Sequence, residues 1–261
     1  MDGSKKEKLN QSLVKSIELY DRLSSHDFVV SPSLPILYFG DIIGCMASSF
    51  KVVTAALNPS ELEFKGVKSD VPSNLRFPEY HGDEESLFKA LNAYFLKHPY
   101  RRWFGTSRKT KSGFLPFIEG MGSSYYAGFQ NLAVHTDICS PLATSPSWSG
   151  LESSQKSLLI QDGLKLWKEL MTIIAPDVVL ISLKKEYLNL LPLRFVATIY
   201  TKPVKNNSRR KQSMYSLEHY LLEIDGKMIN LIWGSAQNTP LQPFTDKGKL
   251  GEFVFNYLYN K

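Results

Sequence analysis

Cysteine is scarce: Cys45 and Cys139 are the only two in 261 residues. Two thiols predict no disulfide framework and cannot alone hold an iron–sulfur cluster. The five histidines are scattered without paired ligand spacing, so no metal centre is expected. A Walker loop, a G-x-G-x-x-G fingerprint and a serine nucleophile elbow are all missing. No organic cofactor is therefore expected. The opening MDGSKKEKLNQS has no apolar h-region and does not read as a signal peptide. No apolar run is long enough to span a bilayer. These absences predict a soluble, cytoplasmic chain with no membrane partner.

Hydrophobic residues make up 43% of the chain and aromatics 12%, enough for a substantial core. One α/β domain over residues 1–261, acting as a monomer, is the expectation. The formal net charge is +6 and the pI about 9.1. That balance suits a nucleic-acid partner without establishing one.

The stretch Lys51–Phe64, KVVTAALNPSELEF, organises the rest. Val52 to Leu57 is short, apolar and β-branched, and reads as a buried strand. Pro59 cannot donate to a ladder and ends it. Asn58, Ser60, Glu61 and Glu63 then gather at a strand tip, where open α/β sheets bind ligands.

Helical spacing of Leu13, Ile17, Leu19, Tyr20 and Leu23 predicts a first helix over 9–26, after a frayed start. Asp41–Ser49 reads as helical. Residues 65–128 form an insertion: a loop over Lys65–Pro78, a helix over Glu84–Leu96, a basic aromatic segment at 99–113 and a helix over Phe114–Tyr126. A second strand, Asn131–Val134, ends in His135-Thr136-Asp137. A strong amphipathic helix, Ser157–Ile174, precedes a third strand, Val178–Leu183, and a short helix to Leu191. Strands follow at Phe195–Thr201, Tyr220–Ile224 and Met228–Gly234, with a hairpin turn at Asp225-Gly226. Gly248–Tyr259 closes the chain as a helix. Strands alternating with helices predict an α/β three-layer sandwich with a mostly parallel central sheet.

Three strand tips carry unusual polar groups: Asn58-Pro59-Ser60, His135-Thr136-Asp137 and the run from Gly234 through Ser235, Gln237 and Asn238 to Leu241. Their order resembles the uracil-DNA glycosylase superfamily, over roughly residues 35–60 and 130–260. Ala56-Leu57-Asn58-Pro59-Ser60 is similar to the first motif of the mismatch-specific and single-strand-selective branches. Val134 to Leu142 resembles the base-reading strand of the single-strand-selective branch. Gln237-Asn238-Thr239-Pro240-Leu241 sits where the family has His-Pro-Ser-Pro-Leu.

The resemblance implies a uracil-DNA-glycosylase-like fold and hydrolysis of an N-glycosidic bond in DNA, with the target base flipped into a pocket. Asn58 would position the attacking water, and Glu61 or Glu63 would supply a carboxylate. Gln237 or Asn238 would steady the leaving base. Phe77, or instead Tyr125 or Tyr126, would stack on it, with His135 nearby. Leu241 would fill the gap in the duplex. Ser60, Ser235, Arg101 and Arg102 would face the DNA.

Two departures from the family matter. Asp137 stands where asparagine usually reads the base. A protonated Asp137 would donate to N3 and accept from N4–H, favouring cytosine or a 5-substituted cytosine over uracil. Modified phage DNA would be one source of such bases. Gln237 replaces a histidine and cannot become charged.

Plainer roles stand beside these. Asn58-Pro59 also suits a simple turn, Asp137 a cap, His135 a structural hydrogen bond, Leu241 ordinary packing, and Phe77 and the tyrosines core anchors. The rival function is a catalytically inactive nucleic-acid-binding module of the same fold. A hydrolase using Asp41 and Ser60 ranks last, for want of a Ser–His pair.

Overall fold

The computed structural model describes residues 3–66, 69–97, 101–105, 113–204, 213–234, 240–241 and 244–260. At its centre lies β1 (Val52–Ala56), with every residue buried. Its neighbours β5 (Asn131–Asp137) and β6 (Val178–Ser182) both run parallel to it. Strands covered on both faces read as continuous apolar runs, which is why VVTAA and VVLIS carry so little polar content.

The full sheet has seven strands in the order β4-β5-β1-β6-β9-β8-β7. Its outer members are β4 (Ser123–Ser124) on one edge and β7 (Leu193–Val204) on the other. β9 (Lys227–Gly234) pairs parallel with β6, whereas β8 (Ser213–Ile224) is antiparallel to both β9 and β7. Asp225 and Gly226 turn the β8–β9 hairpin with φ of 48° and 73°, the left-handed pair that such a tight turn requires. The sheet is thus mostly parallel with an antiparallel hairpin flank.

Helices cover both faces. Adjacent strand residues point to opposite faces. Thr136 therefore meets Trp167 of α7 (Ser153–Ile174), whose indole N–H donates to Thr136 Oγ1 at 3.0 Å. His135, one residue earlier, meets Phe104 and Phe114 on the other face. Phe104 ends the short helix α5 (Arg101–Phe104), and Phe114 precedes α6 (Leu115–Gly120). α1 (Gly3–Leu23) packs along α7, with ion pairs from Lys15 to Glu169 and Arg22 to Asp162. α6 packs on the C-terminal α8 (Lys247–Tyr259).

Several expected boundaries move. α1 begins at Gly3, so the polar start is helical, and it ends at Leu23 rather than near His26. The short helix α2 spans Ile42–Ala47, capped by the Asp41 carboxylate on the Gly44 N–H at 2.9 Å. Lys65–Pro78 is not all loop: β2 (Lys65–Gly66) pairs with β3 (Ser69–Pro72). The expected helix at 84–96 is two, α3 (Glu84–Asn92) and α4 (Tyr94–Lys97). The one expected over 114–126 stops at Gly120, because Gly122 takes a positive φ of 82°. β5 runs on through Asp137, three residues beyond its apolar part.

The chain leaves β1 toward β5, then crosses back to β6 on the other side of β1. That reversal makes a crevice at the carboxyl ends of β1 and β6, where open α/β sheets bind ligands.

Candidate functional site

A cleft of about 500 Å³ occupies that crevice. Ala56 to Ser60 line it from the end of β1, His135 and Asp137 from β5, and Ser182 to Lys184 from β6. Glu63 enters from a single 3-10 turn, Glu61–Glu63, which Ser60 caps by accepting the Leu62 N–H. Phe39, Trp103, Phe104, Trp148 and Tyr187 supply apolar walls. Mostly apolar walls with a few convergent polar groups are what a small-ligand site requires.

Asn58 is held in one orientation. Its amide nitrogen donates to the Leu142 carbonyl at 3.2 Å and to Thr144 Oγ1 at 3.0 Å. A carbonyl oxygen only accepts, so Nδ2 must face Leu142 and Oδ1 is left to accept from a ligand or water. The 142–144 segment is itself fastened: Val30 N–H donates to the Ala143 carbonyl, Ile36 N–H to the Pro141 carbonyl, and Thr144 bridges both Val29 and Ser60.

Asp137 is the anomaly of the site. Its side chain is 2% exposed, and neither carboxyl oxygen has a hydrogen-bond partner among the described residues. His135 Nε2 is 3.9 Å from Oδ1, beyond hydrogen-bond reach. Burial, reinforced by the nearby Glu63 carboxylate, pushes the Asp137 carboxyl well above the usual range. A neutral acid results, with a proton to donate and an oxygen to accept. Unpartnered buried polar groups are costly and cluster where a ligand supplies the missing partner.

Glu63 is also buried, but it is partnered. Tyr94 donates to its Oε2 at 2.7 Å, and Arg76 Nε lies 3.8 Å away. Burial raises its pKa to about 7, partly offset by Tyr94 and Arg76. Glu61, by contrast, turns to Lys65 in an i,i+4 ion pair at 2.9 Å and does not line the cleft. Removing the Tyr94 hydroxyl takes a charge-assisted hydrogen bond of about 1.5–3 kcal/mol from the ionised form of Glu63. Tyr94→Phe is therefore expected to raise the Glu63 pKa by about one to two units, read by carboxyl NMR titration. A pKa that stays in place argues against the Tyr94 hydrogen bond as a support of the ionised carboxylate.

His135 stays neutral because burial pulls its pKa down to about 3. Its Nδ1 shares a hydrogen bond with Thr54 Oγ1 at 2.8 Å, and Thr54 in turn bonds Tyr125 at 2.6 Å. That chain fixes the ring with Nε2 toward Asp137.

Raised carboxyl pKa values have a cost in stability. Below about pH 4, folded and unfolded chains both hold these protons. At higher pH the unfolded chain releases protons that the folded chain keeps. Stability then falls by about 1.4 kcal/mol per pH unit for each such group. The fall due to Glu63 levels off above about 7. Asp137→Asn is accordingly expected to raise the melting temperature at pH 8 and to leave it nearly unchanged at pH 4. Equal shifts at both pH values would contradict a protonated Asp137.

Of the residues singled out in the sequence, Asn58, Ser60, Glu63, His135 and Asp137 share this cleft. Three proposed base stackers do not line it. Phe77 is fully buried, stacked between Phe64 and Tyr94. Tyr125 stacks on Phe95 at 4.5 Å, and Tyr126 donates to the Gly105 carbonyl. The aromatic walls come instead from Phe39, Trp148 and Tyr187, which the sequence reading missed, and from Trp103 and Phe104 of the basic aromatic segment. Leu241 does not project as a wedge: it is fully buried against Gly234, and its N–H donates to Ser182 Oγ at 2.7 Å. Arg101 and Arg102 open α5, but their side chains lie outside the described residues, as do Ser235, Gln237 and Asn238. Among the described residues no cluster of three or more His, Cys, Asp or Glu could hold a metal ion, and no helix is long and apolar enough to cross a membrane.

No family model, curated protein or solved structure matches this chain.

Proposed function

We propose that this protein is a monofunctional DNA glycosylase of uracil-DNA-glycosylase-like fold. It hydrolyses the N-glycosidic bond of a flipped-out base, a cytosine or a 5-substituted cytosine, and leaves an abasic site. The observation that carries this reading is the Asp137 carboxyl, buried, unpartnered and lining the same cleft as Asn58 and Glu63.

A protonated carboxyl offers one donor and one acceptor side by side. That edge complements the N3 and N4–H₂ of cytosine. Uracil presents the reverse pair, N3–H and O4, which a neutral carboxyl can also meet with its proton on the other oxygen; what favours cytosine is its basic N3, which can take that proton where the N3–H of uracil cannot. The aromatic walls suit a flat ring. Asn58 Oδ1 is positioned to accept from a water, and Glu63 can take that water's proton as it attacks the sugar carbon. The developing oxocarbenium character is stabilised by the ionised Glu63 carboxylate. The basic balance of the chain draws the DNA backbone. This chemistry calls for no metal or organic cofactor.

The test is release of base from oligonucleotides bearing cytosine, 5-substituted cytosines or uracil, read as alkali-labile strand breaks. Release of a cytosine-type base is expected. Efficient release of uracil alone overturns the base assignment. DNA binding with no alkali-labile sites overturns the enzyme and leaves a binding module.

A further inference from the structure

We propose that Asp137 is the general acid of this site as well as its base reader, passing its carboxyl proton to the ring nitrogen of the base while Glu63 receives the proton of the attacking water. The inference rests on the glycosylase reading above. Two carboxyl groups line one cleft and are held differently. Asp137 lines the cleft with both oxygens buried and without a hydrogen-bond partner, whereas Tyr94 and Arg76 hold Glu63 toward its ionised form. Neighbouring carboxyls whose environments separate their proton affinities divide into an acid and a base.

The groups around the pair keep that order. His135 lies beside Asp137 on β5 but is neutral, and Cys139 just beyond it is a buried thiol with its pKa raised to about 12. Tyr187 and the exposed Lys184 face the cleft from the segment after β6. Ionised Glu63 adds to burial in raising the proton affinity of Asp137, and two like charges in one cleft oppose each other. While Glu63 is ionised, Asp137 keeps its proton.

The chemistry of the base requires such a donor. Cytosine leaving as an anion is a poor leaving group, and its N3 is the basic atom that a reading carboxyl already touches. As the C1′–N1 bond breaks, its electron pair moves into the ring and N3 takes the Asp137 proton, so the base departs neutral. Water oxygen bonds to C1′, and its proton goes to Glu63. The carboxyls have then exchanged states. The proton returns from Glu63 to Asp137 through water in the shared cleft, and the site is restored with no other reactant.

Asp137→Asn keeps a donor for N3 and an acceptor for N4–H but has no proton to give. Single-turnover release of the cytosine-type base is expected to slow by about 10²–10⁴-fold, the usual contribution of a general acid. Binding of the oligonucleotide should change little, and the alkaline limb of the pH profile should disappear. A second arm needs no variant. An oligonucleotide carrying 3-deazacytosine, with C–H in place of N3, should be released by the unaltered protein more slowly by a similar factor. Release of the 3-deaza base as fast as its parent, or an unslowed Asp137→Asn, overturns the acid role while the glycosylase reading stands. If the unaltered protein releases no cytosine-type base at all, both fall together.

Discussion

Glu63→Gln is expected to lower the rate of base release by about 10²–10⁴-fold. Glutamine preserves the volume of the side chain, and its Oε1 can still accept the Tyr94 hydroxyl that now bonds the carboxylate at 2.7 Å. What it loses is the capacity to take a proton. The effect therefore falls on the chemical step and leaves substrate binding nearly unchanged. The acid limb that Glu63 sets near its pKa of about 7 should vanish with it. Glu61→Gln is the comparison, because sequence position alone does not separate the two carboxylates. Glu61 is engaged with Lys65 at the surface, so its loss should cost under about 1 kcal/mol of stability and leave turnover intact. If the Glu61 variant is the inactive one, the assignment of the base is reversed.

Gly163→Ala is expected to have a large structural effect beside the site. A Cβ at that position would lie 2.1 Å from the Cys139 carbonyl oxygen and 2.7 Å from Ser140 Cα. Both are backbone atoms, so no side chain can rotate away. Either α7 lifts from the sheet or the segment after β5 shifts, at a cost of about 1–3 kcal/mol or more. Asp137 is two residues from that collision, so release of base should fall with stability. Lys165→Ala, an exposed site on the same helix, should stay within about 0.5 kcal/mol. Chemical denaturation of the two variants, alongside base release, checks both statements. Equal midpoints would mean that α7 does not press on that segment.

Strand tips were the most legible part of this sequence. Asn58, His135 and Asp137 follow apolar runs whose period and length mark buried strands, and a parallel sheet gathers such ends on one side. Glu61 and Glu63 were readable as a pair for the same reason, one turn past Pro59, but which of them enters the cleft was not. The cleft walls were not. Phe39 and Trp148 lie in irregular segments with no period to place them, and which aromatics face a ligand is decided by packing between elements distant in sequence. Phe77 illustrates the converse. A phenylalanine that stacks on a base and one that stacks on Phe64 and Tyr94 look identical in a string of letters. Leu241 turned inward because its φ of 56° and its bond to Ser182 aim the side chain at Gly234.

The bonds that fasten Asn58 reach further than the cleft. Leu142 and Thr144 grip its amide, and residues 28–36 grip the 141–145 backbone in turn. A nick or an insertion near Pro35 would thus be transmitted to the Asn58 side chain in two steps, and to β5 through the pairing of Phe39 with His135. The segment 28–36 is a brace for the ligand site, although none of its residues lines the cleft it steadies.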